Sequence, residues 1–150
     1  MLREAEVLLS FACECYQLQA AENRVFIHEH PRTAKSWDEP SMRKIMALSN
    51  VKKVNLDMCR FNLKVKSAKG FELVRKPTTL LTNSQIIAES MSKKSDGTHK
   101  HGILKGGDKC RQAATYTVEF CRAIVSAYKR HSDQRKKNLR QIGSLISRDF

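Results

Sequence analysis

A chain of 150 residues with 41% hydrophobic content suits a single domain and is long enough to bury a real core. Lys and Arg number 28 against 15 Asp and Glu, a formal charge of +13, which sets the chain apart from near-neutral soluble enzymes. No apolar run approaches the ~20 residues of a bilayer span, so an integral membrane protein is not expected.

The charge is unevenly placed. Glu4, Glu6, Glu14 and Glu22 oppose only Arg3 in residues 1–22, so nearly all positive charge lies beyond Arg24. Such asymmetry points to a polyanionic partner, nucleic acid or an anionic membrane face. An N-terminal amphipathic segment carrying Glu fits neither a secretory signal nor a transit peptide, so an intracellular location is expected, with nuclear and organellar both open. Five cysteines at irregular spacing imply reduced, mostly buried thiols instead of a disulfide framework.

In chain order, Leu2 to Ala20 place Ala5, Leu8, Leu9, Ala12, Cys15, Tyr16 and Gln19 near a 3.6 period, which predicts a surface helix with one buried stripe. Arg24 to His30 reads as a strand covered on both faces and closed by Pro31, which cannot continue a ladder. Ser36 or Asp38 caps a helix with Pro40 in its first turn, running to about Leu48 and burying Trp37, Met42, Ile45, Met46 and Leu48. Val51 to Met58 is a second strand, Lys64 to Leu73 an exposed hairpin or long loop around Gly70, and Thr78 to Thr82 a third strand. Ser84 caps a helix through Met91, and the polar segment Ser92 to Gly107 is expected to cover the edge of the sheet. A last helix from about Ala113 to Tyr128 buries Tyr116, Phe120, Ile124 and Val125. The domain is read as residues 1–128, followed by a basic C-terminal tail, residues 129–150, that becomes helical on binding.

Taken together, Phe26, His28-Glu-His-Pro31, Ser36-Trp37, Asp57-Met-Cys59, Lys76-Pro-Thr78, Thr82-Asn-Ser84, His99-Lys-His101 and Phe120-Cys-Arg-Ala-Ile124 form an ordered set. Over roughly residues 10–130 this set resembles a module of copia-type retrotransposon polyproteins, with Asn23 standing in place of a glycine and Ser95 in place of a cysteine. That module in turn resembles the C-terminal half of a DNA cytosine methyltransferase. The resemblance implies an α/β fold with a small mixed three-stranded sheet flanked by helices, a partial Rossmann-like methyltransferase fold. Its first two strands are parallel and the third, antiparallel, is inserted between them, which leaves the outer side of the first strand open to another protein chain. It also implies a base-pocket role for Glu29 with Thr78, and phosphate contacts for Arg75 and Lys76.

The parts that would make such a module an enzyme are missing. Gly70 is the first glycine, so no glycine-rich turn exists to hold S-adenosylmethionine, and no cysteine follows a proline. No catalytic residue, cofactor or metal is assigned. His99 and His101, two apart, point the same way on an extended segment and can reach zinc with Cys110 or Cys59. With Ser95 in place of cysteine the set is incomplete, and the default reading is two solvated histidines. Cys13 and Cys15 diverge by about 200° on a helix and cannot chelate together.

The strongest functional signal is cationic. Lys93, Lys94, Lys100, Lys105, Lys109 and Arg111 form one cluster, and Arg135, Lys136, Lys137 and Arg140 another. The expected function is non-catalytic binding of DNA or RNA by a retroelement-derived, truncated methyltransferase-like module. The alternatives are a basic structural subunit of a larger ribonucleoprotein or membrane-associated complex, and a partial cytosine methyltransferase completed by a partner.

Overall fold

The computed structural model describes residues 2–68 and 70–146, so Arg148 and Asp149 of the basic tail lie outside it. Three strands form the central sheet: β1 (Ile27–Pro31), β2 (Lys52–Asp57) and β5 (Pro77–Thr82), in the order β1-β5-β2. β5 is antiparallel to both neighbours, so β1 and β2 run the same way with the third strand inserted between them. The insertion matches expectation. The sheet itself is antiparallel at each ladder and is not mixed, because β1 and β2 never touch. A Rossmann-type parallel core is therefore absent from the described residues.

Proline marks the ends of the strands. Pro31 closes β1 and Pro77 opens β5, positions where a missing N–H costs the ladder least. The registers Ile27↔Thr82, Glu29↔Leu80 and Val54↔Leu80 put Ile27, Glu29, Val54, Leu56, Leu80 and Thr78 on one face, with His28, His30, Lys53, Asn55, Leu81 and Thr79 on the other. Each face has its own core. On the first, Leu56 and Leu80 pack with Ile87, Met91, Phe120 and Ala127; on the second, Leu81 packs with Phe26, Trp37, Met42, Ile45 and Cys13.

The second face is covered by α1 (Leu2–Ala21), a 3-10 turn over Lys35–Asp38 and α2 (Pro40–Met46). Trp37 is buried and donates its indole N–H to Pro31 O at 2.9 Å, the anchoring role its position predicts. Helix α1 seats differently from the predicted stripe. It docks through Leu9, Cys13, Tyr16 and Ala20, at i, i+4, i+7 and i+11, while Ala5, Leu8 and Cys15 face solvent. The helix carries apolar residues nearly all round, so its period did not single out one face, and Val7, Leu8, Phe11 and Leu18 remain more than half exposed. Asn23, where the resembled pattern has glycine, takes φ 53°, a left-handed conformation that asparagine tolerates best after glycine.

The first face is covered by α3 (Gln85–Met91) and α5 (Val118–Ile146). The hairpin predicted near Gly70 forms as β3 (Lys64–Ser67) and β4 (Gly70–Leu73), and α4 (Gly107–Gln112) precedes the last helix. Helix α5 departs from expectation in two respects. It starts later and continues through residues 129–146, so the described part of the basic tail is helical in the free chain. Its core face is Phe120, Ala123, Ile124 and Ala127; Val125 is largely exposed, because the 3.6 period set by Phe120 turns it outward, and Tyr116, ahead of the helix, is only half-buried. Three of the five free thiols, Cys15, Cys110 and Cys121, are exposed, contrary to the expectation of mostly buried cysteines.

Ser84 joins α3 to α5. Its hydroxyl accepts the Ile87 N–H at 3.3 Å as the N-cap and sits 2.9 Å from His131 Nδ1. Replacing Ser84 with Ala is expected to lower unfolding free energy by about 1–2 kcal/mol in urea titrations, since it removes a cap and leaves His131 unpaired.

Candidate nucleic-acid interface

The polar ends of the strands are organised by one buried acid. Asp57, the last residue of β2, has no solvent exposure. Arg32 donates to its Oδ1 at 3.0 Å, Arg75 Nε lies 3.2 Å from Oδ2, and the Ser95 backbone N–H donates to Oδ2 at 2.9 Å. Burial alone raises its pKa, but the Ser95 N–H and the Arg75 and Arg32 guanidinium groups outweigh it and hold Asp57 below the ordinary carboxylate value. A depressed folded pKa stabilises the fold above the unfolded value of about 3.9, and that stabilisation is lost as pH falls through the lower folded value. Asp57→Asn is expected to cost about 3 kcal/mol at neutral pH and to flatten the acid limb of the stability curve, measured by denaturant unfolding from pH 7 to pH 2.

The same residues fix the predicted phosphate contacts. Arg75 is half exposed but tethered to Asp57. Lys76, held at φ 32°, donates its ammonium to Ala113 O at 2.7 Å beneath the Tyr116 ring, so it braces the end of α4 from inside. The two base-pocket candidates lie on the same face of the sheet. Thr78 is fully buried and donates its hydroxyl to Lys76 O, which makes it a core residue of β5 with no surface for a ligand. Glu29 accepts a hydrogen bond from the Tyr116 hydroxyl, and burial together with that carboxylate pushes the phenol up to about 12. Tyr116 thus stays a donor at physiological pH and occupies an oxygen that a base edge would need.

On the opposite face His28 packs edge-on to Trp37, and its Nδ1 is 2.9 Å from the Tyr16 hydroxyl. Burial, then the neighbouring His30, lowers its pKa to about 4. The unfolded chain therefore binds a proton that the folded chain refuses between about pH 6.5 and pH 4, and stability falls as pH drops through that window. His28→Phe is expected to flatten the slope in this window, which thermal melts at half-unit pH steps will read.

The segment expected to cover the sheet's edge, Ser92 to Gly107, meets β2 at its last residue, where Lys93 O accepts the Asp57 N–H at 2.9 Å. Lys93 lies over the Phe61 ring, while Lys94, Lys100, Lys105 and Arg111 are exposed and Lys109 is partly buried. This segment also brings His99 and His101 to the buried Cys59, their ligand-capable atoms all within 4.8 Å of one another. Cys110 stands exposed on α4, outside that group.

Helix α5 gathers the remaining cations. Arg122, Lys129, Lys136 and Arg140, at i, i+7, i+14 and i+18, form one exposed row roughly 27 Å long at 1.5 Å per residue. Arg130 and Lys137 flank the row, with Asp133 as the one acid among them. Arg135 turns away from it and donates to Asn23 O. There it closes a groove of about 410 Å³ lined by Arg24, Asn50, Asn83, His131, Gln134 and Asn138. Sequence reading missed this amide-rich groove, because its residues come from the segments just before β1 and β2, the residue after β5 and two turns of α5, and only the fold brings them together. His131 within it has a lowered pKa from burial and from Arg135, so it is biased toward the neutral form.

No helix of the described residues is long and apolar enough to cross a membrane. No family model, curated protein or solved structure matches the chain.

Proposed function

We propose that this chain is a non-catalytic nucleic-acid-binding module, with α5 as its main contact surface. The observation that carries this reading is the exposed cation row Arg122, Lys129, Lys136 and Arg140, fixed on one side of a helix whose other side is anchored in the core by Phe120 and Ala127. Among the described residues none of the four makes an ion pair, and Arg122 acts only at longer range on Glu119. The groove between Arg24 and Arg135, which offers amide groups of the type that hydrogen-bond base edges, opens on the opposite side of α5 and forms a second, separate surface. The origin we propose, a retroelement module resembling half of a cytosine methyltransferase, draws support from the inserted third strand.

Four neutralised phosphates predict a log–log salt slope of about −3.6, or roughly a hundredfold loss of affinity for duplex DNA between 50 and 200 mM salt. Fluorescence anisotropy with DNA and RNA at the two salts measures it. Changing Lys129, Lys136 and Arg140 together to Glu is expected to weaken binding more than tenfold and flatten the slope by about 3 units. Absent or salt-independent binding refutes the proposal.

A second reading, a structural subunit of a larger complex, is favoured by the apolar side chains Val7, Leu8, Phe11 and Leu18 left exposed on α1. Light scattering of the purified chain separates the two, since a monodisperse monomer that still binds nucleic acid leaves this surface without a needed partner.

A further inference from the structure

We propose that Cys59, His99 and His101 form a zinc site that pins the Ser92–Gly106 segment to the end of the sheet. The three come from two places: Cys59 from the 3-10 turn Met58–Phe61 directly after β2, and the histidines from the segment that follows α3. Their ligand-capable atoms lie within 4.8 Å of one another, and tetrahedral bonds of about 2.0–2.3 Å place ligand atoms about 3.5 Å apart, so side-chain shifts of about 1 Å close the set on one ion.

The polar atoms around this point lack a satisfactory arrangement on their own. His99 Nε2 is buried and has no hydrogen-bond partner. His101 Nε2 faces two groups at once, Cys59 Sγ at 3.3 Å and Ser95 Oγ at 3.3 Å, though a single ring nitrogen offers one proton or one lone pair. A divalent ion takes one donor atom from each of the three residues, and bound through His99 Nε2 it removes the orphan. Thiolate with two imidazoles selects a soft or borderline metal such as zinc over magnesium or calcium. Binding replaces the Cys59 S–H bond with an S–Zn bond and releases that proton to solvent, the two imidazoles entering neutral.

The cradle is held from both sides. Ser95 is fixed by its N–H to buried Asp57, and Asp96 both caps Thr98, accepting its N–H at 3.1 Å, and pairs with Arg60 beside Cys59. Gly102 N–H donates to Leu73 O at 2.8 Å and closes the segment beyond His101. The fourth position falls to the Ser95 hydroxyl or to water.

The test is a Co²⁺ titration of the chelator-treated full chain, followed by competition with Zn²⁺. One ion per chain is expected, with a thiolate-to-cobalt charge-transfer band that zinc abolishes. Ser95→Cys, which completes a two-cysteine, two-histidine set, is expected to tighten zinc at least tenfold, and Cys110→Ser to change neither stoichiometry nor band. The doubly substituted His99→Ala, His101→Ala chain, altered only at partly exposed positions, is expected to lose the band even if Cys59→Ser proves too disruptive to fold. A native chain without the band, or a band of equal strength in the double histidine variant, overturns the proposal.

Discussion

One buried carboxylate holds the polar end of this fold in place. Asp57 has no water to solvate it, so its charge persists only because Arg32, Arg75 and the Ser95 N–H converge on it. Those three donors sit just after β1, just before β5 and in the segment beyond α3. Satisfying one acid therefore fixes where three loops lie. That arrangement stations Lys76 under Tyr116, sets the Tyr116 hydroxyl against Glu29 and delivers His99 and His101 to Cys59.

Much of the architecture was readable from local chemistry. Pro31 and Pro77 limit strands because they lack a donor, Ser84 caps α3 through its hydroxyl, and Trp37 lies where a large ring with one N–H finds both a core and a carbonyl. The inserted strand followed from resemblance and not from periodicity. What failed was the choice of face wherever apolar residues surround a helix. α1 offers Leu8 and Leu9 as adjacent candidates, and only tertiary packing decides for Leu9; α5 begins at Val118, after Tyr116, and Phe120 sets its phase. The helical state of residues 129–146 was missed because a cationic composition says little about continuation once a long helix is already nucleated.

The candidate sites divide along the same line. Cation clusters are visible in a sequence because charge needs no partner to be recognised. Arg75 and Lys76 read as free cations for that reason, although the fold commits one to Asp57 and the other to Ala113 O. The amide groove and the thiol-imidazole cluster each depend on residues distant along the chain, so spacing alone could pair His99 with His101 but could not choose Cys59 over Cys110.

Helix α5 has a mechanical consequence. Its first turns are keyed into the core by Phe120, Ala123 and Ala127, and its later turns carry the cations along the same unbroken axis. A polymer gripped at the distal end inherits its angle from the way those three side chains seat, so the core acts as the bearing of a lever. Lengthening that lever by two residues past Ala127 would swing everything beyond by about 200°, pulling His131 from Ser84 and Arg135 from Asn23 and turning the grip to the wrong side.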